Sequence, residues 1–244
     1  MQFVSGEYYH LYNRGNSKQK IFNNRNDYER LMQLLYIANC PDAFHFFDID
    51  DVYDIERSER LISIGAYCLM PNHFHILIAP LPDNNDGVSK FMNKLGTGYS
   101  MYFNTRYERA GSLFEGRYRS KHLDSDRYLK YMFSYIHLNP LKIIDKEWRN
   151  HKIDTQKSWN FLESYKYSSL ADYLDTERKE GKILNKEDFP NYFPTMVEKR
   201  KELFDWLDFP EDRPRGNYTS PQARPVEITR TDLVEISGPY YTAA

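Results

Sequence analysis

Several features that would settle a protein's class at once are scarce in this sequence. Only two cysteines occur among 244 residues, Cys40 and Cys68. Two thiols make neither a disulfide-stapled scaffold nor a four-cysteine zinc site. Long hydrophobic runs are missing too. The apolar stretch Ile76-Leu77-Ile78-Ala79-Pro80-Leu81 is typical of the longest, and it is far too short to span a bilayer. The opening residues MQFVSGEYYH have neither a basic n-region nor an apolar h-region, so no signal peptide is expected. A reduced, cytoplasmic location without a membrane partner is the corresponding expectation. Charge of one sign is lacking as well. Lys and Arg number 33 and Asp and Glu 35, a net charge of −2, so nothing global announces a nucleic-acid partner. There is no P-loop, internal repeat or long low-complexity tract.

What is present is a wet, aromatic-rich chain. Hydrophobic residues make up 41%, enough for a core, and charged residues 28%. The mean hydropathy is −0.76. This composition excludes a disordered chain, a collagen and a coiled coil. The aromatic share is 16%, with 21 tyrosines and 15 phenylalanines. Charge is also distributed unevenly. Residues 40–60 carry seven acids and two bases, net −5, and residues 88–142 carry ten bases and four acids, net +6. Aromatic rings interleave with the bases, as in Arg117-Tyr118-Arg119. Basic groups neutralise phosphates and rings stack on unpaired bases. The plainer reading of such a stretch is a solvated surface.

Hydrophobic periodicity orders the elements. Residues 7–14 read as a strand that Gly15-Asn16-Ser17 turns. Asn26 caps a helix from 27 to about 39, which Pro41 ends. The acidic stretch 48–59 reads as an exposed hairpin or loop insertion. Residues 61–69 and 73–79 form a hairpin across Met70-Pro71-Asn72. A helix follows over 89–106, then a strand over 112–122. Ser125 caps a helix from 126 to about 138, which Pro140 stops. The first six elements give the order of a ferredoxin-like split β-α-β unit, an α+β fold with an antiparallel sheet. Residues 157–174 and 189–208 read as helical segments packed on it. Three regions result: a domain over 1–150, a helical extension over 151–209 and an extended tail over 210–244.

Two constellations carry chemistry. His73 and His75 lie two apart on a strand, so both imidazoles face one side and can share a divalent ion. Taken alone, the pair reads more simply as two polar side chains on a sheet. Tyr135 and Asn139 are spaced i, i+4 on one helix face. A phenol can be a nucleophile and an amide oxygen a hard metal ligand. Taken alone, these are packing and a residue before proline.

Four ordered blocks change the balance: YHLYNRGNSKQKIF (9–22), AYCLMPNHFHILI (66–78), GSLFEGRYRSK (111–121) and YLKYMFSYIHLNPLK (128–142). Together they resemble the single-tyrosine HUH transposases, and among them most closely the REP-associated tyrosine transposases. YKYSSLADYL (165–174) is similar to that group's short aromatic-Ser-Ser element. The resemblance covers about residues 8–174 and leaves out the tail.

The resemblance implies a role for each matching residue. His73 and His75 would hold the metal, Mg²⁺ or Mn²⁺, with Asn139 completing its site. Two imidazoles also suit zinc or nickel. Tyr135 would be the nucleophile of a transposase and endonuclease acting on single-stranded or hairpin DNA. It would form a 5′-phosphotyrosine and a free 3′-OH without ATP. Arg14, Arg117, Arg119, Lys121, His10, Tyr12 and Lys94 are the DNA-contact candidates. Related enzymes include dimers that share tyrosine helices, which leaves a homodimer open. Two other readings compete. One is a domesticated DNA-binding protein of the same fold, and the other is an unrelated metal-dependent phosphodiesterase that needs no Tyr135.

Overall fold

The computed structural model describes residues 2–43, 51–57, 59–148, 153–192 and 194–208. The expected tail over 210–244 and the front of the acidic insertion lie outside these residues. Four strands form one sheet: β1 (Tyr9–Arg14), β2 (Ile62–Met70), β3 (His73–Pro80) and β4 (Arg119–His122). Their order is β2-β3-β1-β4, and every neighbouring pair is antiparallel. Helix α1 (Arg25–Ile37) joins β1 to β2, and α2 (Gly87–Arg106) joins β3 to β4. This is the ferredoxin-like split β-α-β arrangement. Helix α3 (Asp126–Leu138) follows the last strand.

The hairpin at the centre follows from composition. All nine residues of β2 are buried, as are seven of the eight in β3. Strands covered on both faces read as continuous apolar runs. The pairing shifts register between Ile64 and Ala66, at Gly65. A Cβ on Gly65 would lie 2.7 Å from the Phe189 ring, so close packing there requires glycine. Phe74 points to the face that α2 covers and meets Phe114 at 5.9 Å. His73 and His75 point the other way, toward α3.

The C-terminal extension contains α4 (Leu141–Ile144), α5 (Thr155–Ser164), α6 (Leu170–Tyr173) and α7 (Met196–Asp208). A continuous helix over 157–174 does not form. Between α5 and α6 the chain runs beside the outer edge of β2 instead. Leu69 N–H donates to the Tyr167 carbonyl at 2.9 Å, and Ser169 N–H to the Tyr67 carbonyl at 3.0 Å. Ser169 Oγ accepts from Tyr67 N–H at 2.9 Å. These bonds replace helical ones and cover a strand edge that would otherwise invite foreign pairing. Arg178 locks the segment, with Nη2 2.7 Å from the Ser168 carbonyl and 2.5 Å from Asp172 Oδ2.

Three local expectations need correction. The strand expected over 112–122 shrinks to β4, because Gly111 has φ +87° and the next residues bond elsewhere. Asn16 N–H takes the Leu113 carbonyl at 2.8 Å, and Glu115 N–H takes the Arg14 carbonyl at 3.0 Å. The cap of α1 is Asn24 rather than Asn26, because Asp27 reaches back to complete a capping box. The acidic loop is not simply exposed. Among its described residues, Val52 and Tyr53 are buried, and Lys179 pairs with Asp51. No described helix is long and apolar enough to cross a membrane.

Candidate active site

His73 and His75 rise from β3 on the face opposite Phe74, and each ring is gripped at Nδ1. His73 Nδ1 lies 2.7 Å from Asn72 Oδ1. Asn72 Nδ2 donates to the Lys18 carbonyl at 3.2 Å, so its oxygen is the atom that faces His73. His73 therefore carries its proton on Nδ1 and presents the Nε2 lone pair. That Nε2 is buried and has no hydrogen-bond partner among the described residues. His75 Nδ1 lies 2.8 Å from His10 Nε2. Burial lowers the His10 pKa to about 3, helped by the Lys142 charge. Burial, then Lys142, Arg14 and His10, hold His73 well below the ordinary imidazole range. His10 and His73 are therefore neutral at physiological pH, the state that a metal ligand such as His73 requires.

Helix α3 lays its polar stripe over this pair. The Tyr135 ring stands edge-on to His75, with centroids 5.5 Å apart and planes at 81°. It also stands edge-on to His10 at 6.1 Å. One turn later Asn139 is fully buried, and among the described residues neither its Oδ1 nor its Nδ2 has a hydrogen-bond partner. A buried amide left unbonded costs roughly 1–3 kcal/mol per group. Such a cost points to a partner that the described residues do not provide. Two imidazoles and an amide oxygen fit a divalent cation. Among the described residues no group of three or more His, Cys, Asp or Glu could hold one.

Pro140 does not end the helical path but opens α4, and the bend brings Lys142 back over the site. Its Nζ is 5.7 Å from the centre of the Tyr135 ring. In the sequence Lys142 was one of ten bases in a stretch, with nothing to single it out. Asn72 was equally hidden, as a turn residue.

The strand registers sort the remaining candidates. Tyr12 pairs with His75 and Arg119, Arg14 with His73, and His10 with Lys121. Paired residues share a face, so all of these lie on the histidine side. Arg119 and Lys121 are exposed there. Arg14 is already forked onto Glu115, with Nη2 2.6 Å from Oε1. His10 is buried and stacked on Tyr12, centroids 5.1 Å apart. Two candidates lie elsewhere. Arg117 lines a groove of about 1020 Å³ beside α2, together with Phe74 and Met101. Lys94 gives its ammonium to backbone carbonyls, including that of Asp42 at 2.5 Å. His137 turns away from the site, as expected for i+2, and lies 2.8 Å from Ser169 Oγ in the extension.

The sequence model described as IS200-like transposase matches residues 3–139, more than half of the chain. No curated protein matches it. Among solved structures, a REP-associated tyrosine transposase bound to a REP hairpin is similar at 11% identity and a TM-score of 0.45. That match covers 73% of this chain and 86% of the other.

Proposed function

Because this chain belongs to the IS200-like transposase family, we propose that it cleaves and rejoins single-stranded, hairpin-forming DNA through a phosphotyrosine on Tyr135. One observation carries the reading. A buried tyrosine stands beside the His73–His75 pair, and the residue capping the same helix buries an amide whose polar atoms have no hydrogen-bond partner among the described residues.

The chain's own groups divide the work. The Tyr135 oxygen attacks a backbone phosphorus, forming a Tyr O–P bond as the P–O3′ bond breaks. The phenol loses its proton and the leaving oxygen gains one, giving a 5′-phosphotyrosine and a free 3′-OH. Attack by a 3′-OH reverses the step and rejoins DNA, so no nucleotide is consumed. Lys142 lies where its charge would offset that of the phosphate. Arg119 and Lys121 would hold the flanking backbone. His73, His75 and Asn139 would hold a divalent cation, Mg²⁺ or Mn²⁺, which supplies Lewis-acid polarisation of a nonbridging oxygen.

The test is a labelled single-stranded hairpin DNA incubated with the protein and Mg²⁺ or Mn²⁺, then run on a denaturing gel. A covalent adduct is expected, and Tyr135→Phe should abolish it. Cleavage that survives Tyr135→Phe would sink the phosphotyrosine reading in favour of a plain phosphodiesterase. Binding without any cleavage would favour a DNA-binding protein of the same fold.

A further inference from the structure

The two histidines are held by unlike partners. For His73 the neighbour is Asn72, whose oxygen fixes the ring proton on Nδ1. For His75 the neighbour is another imidazole, His10, from β1. When both are uncharged, two imidazoles bonded at 2.8 Å have two proton arrangements. If His10 Nε2–H donates, His75 Nδ1 accepts, and the His75 proton must sit on Nε2. That arrangement closes His75 to a metal. If His75 Nδ1–H donates, His10 Nε2 accepts, and the His75 Nε2 lone pair is open. Only the second arrangement makes His75 the equal of His73.

We propose that His10 is a positioning residue: its Nε2 accepts the His75 Nδ1 proton and so holds His75 in the one tautomer able to ligate a divalent cation. The inference rests on the metal reading above and deepens it. Three contacts fix His10 for this task. Its ring stacks on Tyr12 with planes at 23°. It lies against His75 at 4.9 Å between centroids and meets the Tyr135 edge at 6.1 Å. It is also buried, with 6% of its surface exposed, which suits a supporting role better than a DNA contact. His10 thereby ties the orientation of a ligand to that of the nucleophile. Groups that orient metal ligands in this way commonly change metal affinity about 10–100-fold when removed.

The experiment has two readouts that do not depend on turnover. The first is the His75 tautomer in metal-free wild-type protein, from long-range ¹H–¹⁵N NMR correlations. Protonated Nδ1 is expected, and a His75 protonated on Nε2 overturns the proposal. The second is Mn²⁺ affinity by calorimetry for wild type, His10→Leu and His10→Gln, with circular dichroism checking the fold. Glutamine places an amide oxygen near the position of the imidazole Nε2. The expected result is a roughly 10–100-fold loss in His10→Leu, largely restored in His10→Gln. Unchanged affinity in a folded His10→Leu overturns the proposal, and so does equal loss in both folded variants. If both variants unfold, the wild-type tautomer alone decides. Wild type that binds no Mn²⁺ overturns the metal reading and this inference together. Wild type that binds Mn²⁺ but forms no DNA adduct overturns only the phosphotyrosine reading.

Discussion

Asp27 shows how much one residue can hold. It is fully buried, yet its carboxylate is saturated with donors. Asn23 N–H reaches it at 2.7 Å and Asn24 N–H at 3.2 Å. The Tyr102 and Tyr107 hydroxyls donate to it at 2.9 and 2.7 Å. It therefore joins the start of α1 to the end of α2. Asp27→Ala would strand these donors without a partner, and the expected loss is about 3 kcal/mol of unfolding free energy in urea titrations. A loss under about 0.5 kcal/mol would show that water replaces the carboxylate freely. This hub explains part of the tyrosine excess. Many of these rings are core residues whose hydroxyls find an acceptor, as Tyr36 finds the Ile55 carbonyl at 2.7 Å and Tyr173 the Gly65 carbonyl at 2.6 Å. The sequence pattern pointed to Asn26 as the cap and missed both the Asn24–Asp27 capping box and its two tyrosine donors. Those tyrosines come from 75 and 80 residues away.

Helices and strands differ in how plainly they were written. The β2–β3 hairpin and α3 were legible because their apolar patterns are long and their turns carry proline or serine. For β4 the strand and its end were legible but its start was not, because its four residues, Arg-Ser-Lys-His, sit at a solvent-facing edge where no hydrophobic pattern marks the boundary. The break at 165–169 was hidden for another reason: only the free edge of β2, a hundred residues earlier, makes an extended path better than a helix. Helix α2 shows that the same residue type has different costs in one element. A Cβ on Gly96 would meet nothing within 4 Å, and one on Gly98 would meet Leu34 Cδ2 at 3.1 Å. Glycine in a helix interior costs roughly 0.5–1 kcal/mol relative to alanine. Gly96→Ala should therefore raise the unfolding free energy by that amount in urea titrations. Gly98→Ala should gain less, since Leu34 on α1 must shift. Equal gains would mean that the α1–α2 contact is looser than the structure shows.

At the scale of the molecule, the net charge of −2 conceals a separation of sign. The histidine face carries exposed Arg119 and Lys121, with Lys142 beside Tyr135. The described part of the acidic loop packs away from that face. Tyr36 of α1 bonds to Ile55, and Lys179 pairs with Asp51. Charge arithmetic along the sequence revealed the imbalance but could not assign bases to faces, because the deciding factor is strand register. Arg119 and Lys121 alternate onto the histidine side, whereas Arg117 lies before the strand and lines the opposite groove. Lys94 looked equivalent in sequence, yet its ammonium replaces solvent on backbone carbonyls at the end of α1. If the proposed DNA path is right, salt dependence should separate these lysines and arginines. Each single-strand phosphate contact contributes about 0.7 to the slope of log affinity against log salt. Replacing Arg119 and Lys121 together with alanine should flatten that slope by about 1.4 for a single-stranded hairpin ligand. Lys94→Ala should leave it unchanged. A flattened slope in Lys94→Ala, or an unchanged one in the double variant, would place the DNA on a different face from Tyr135.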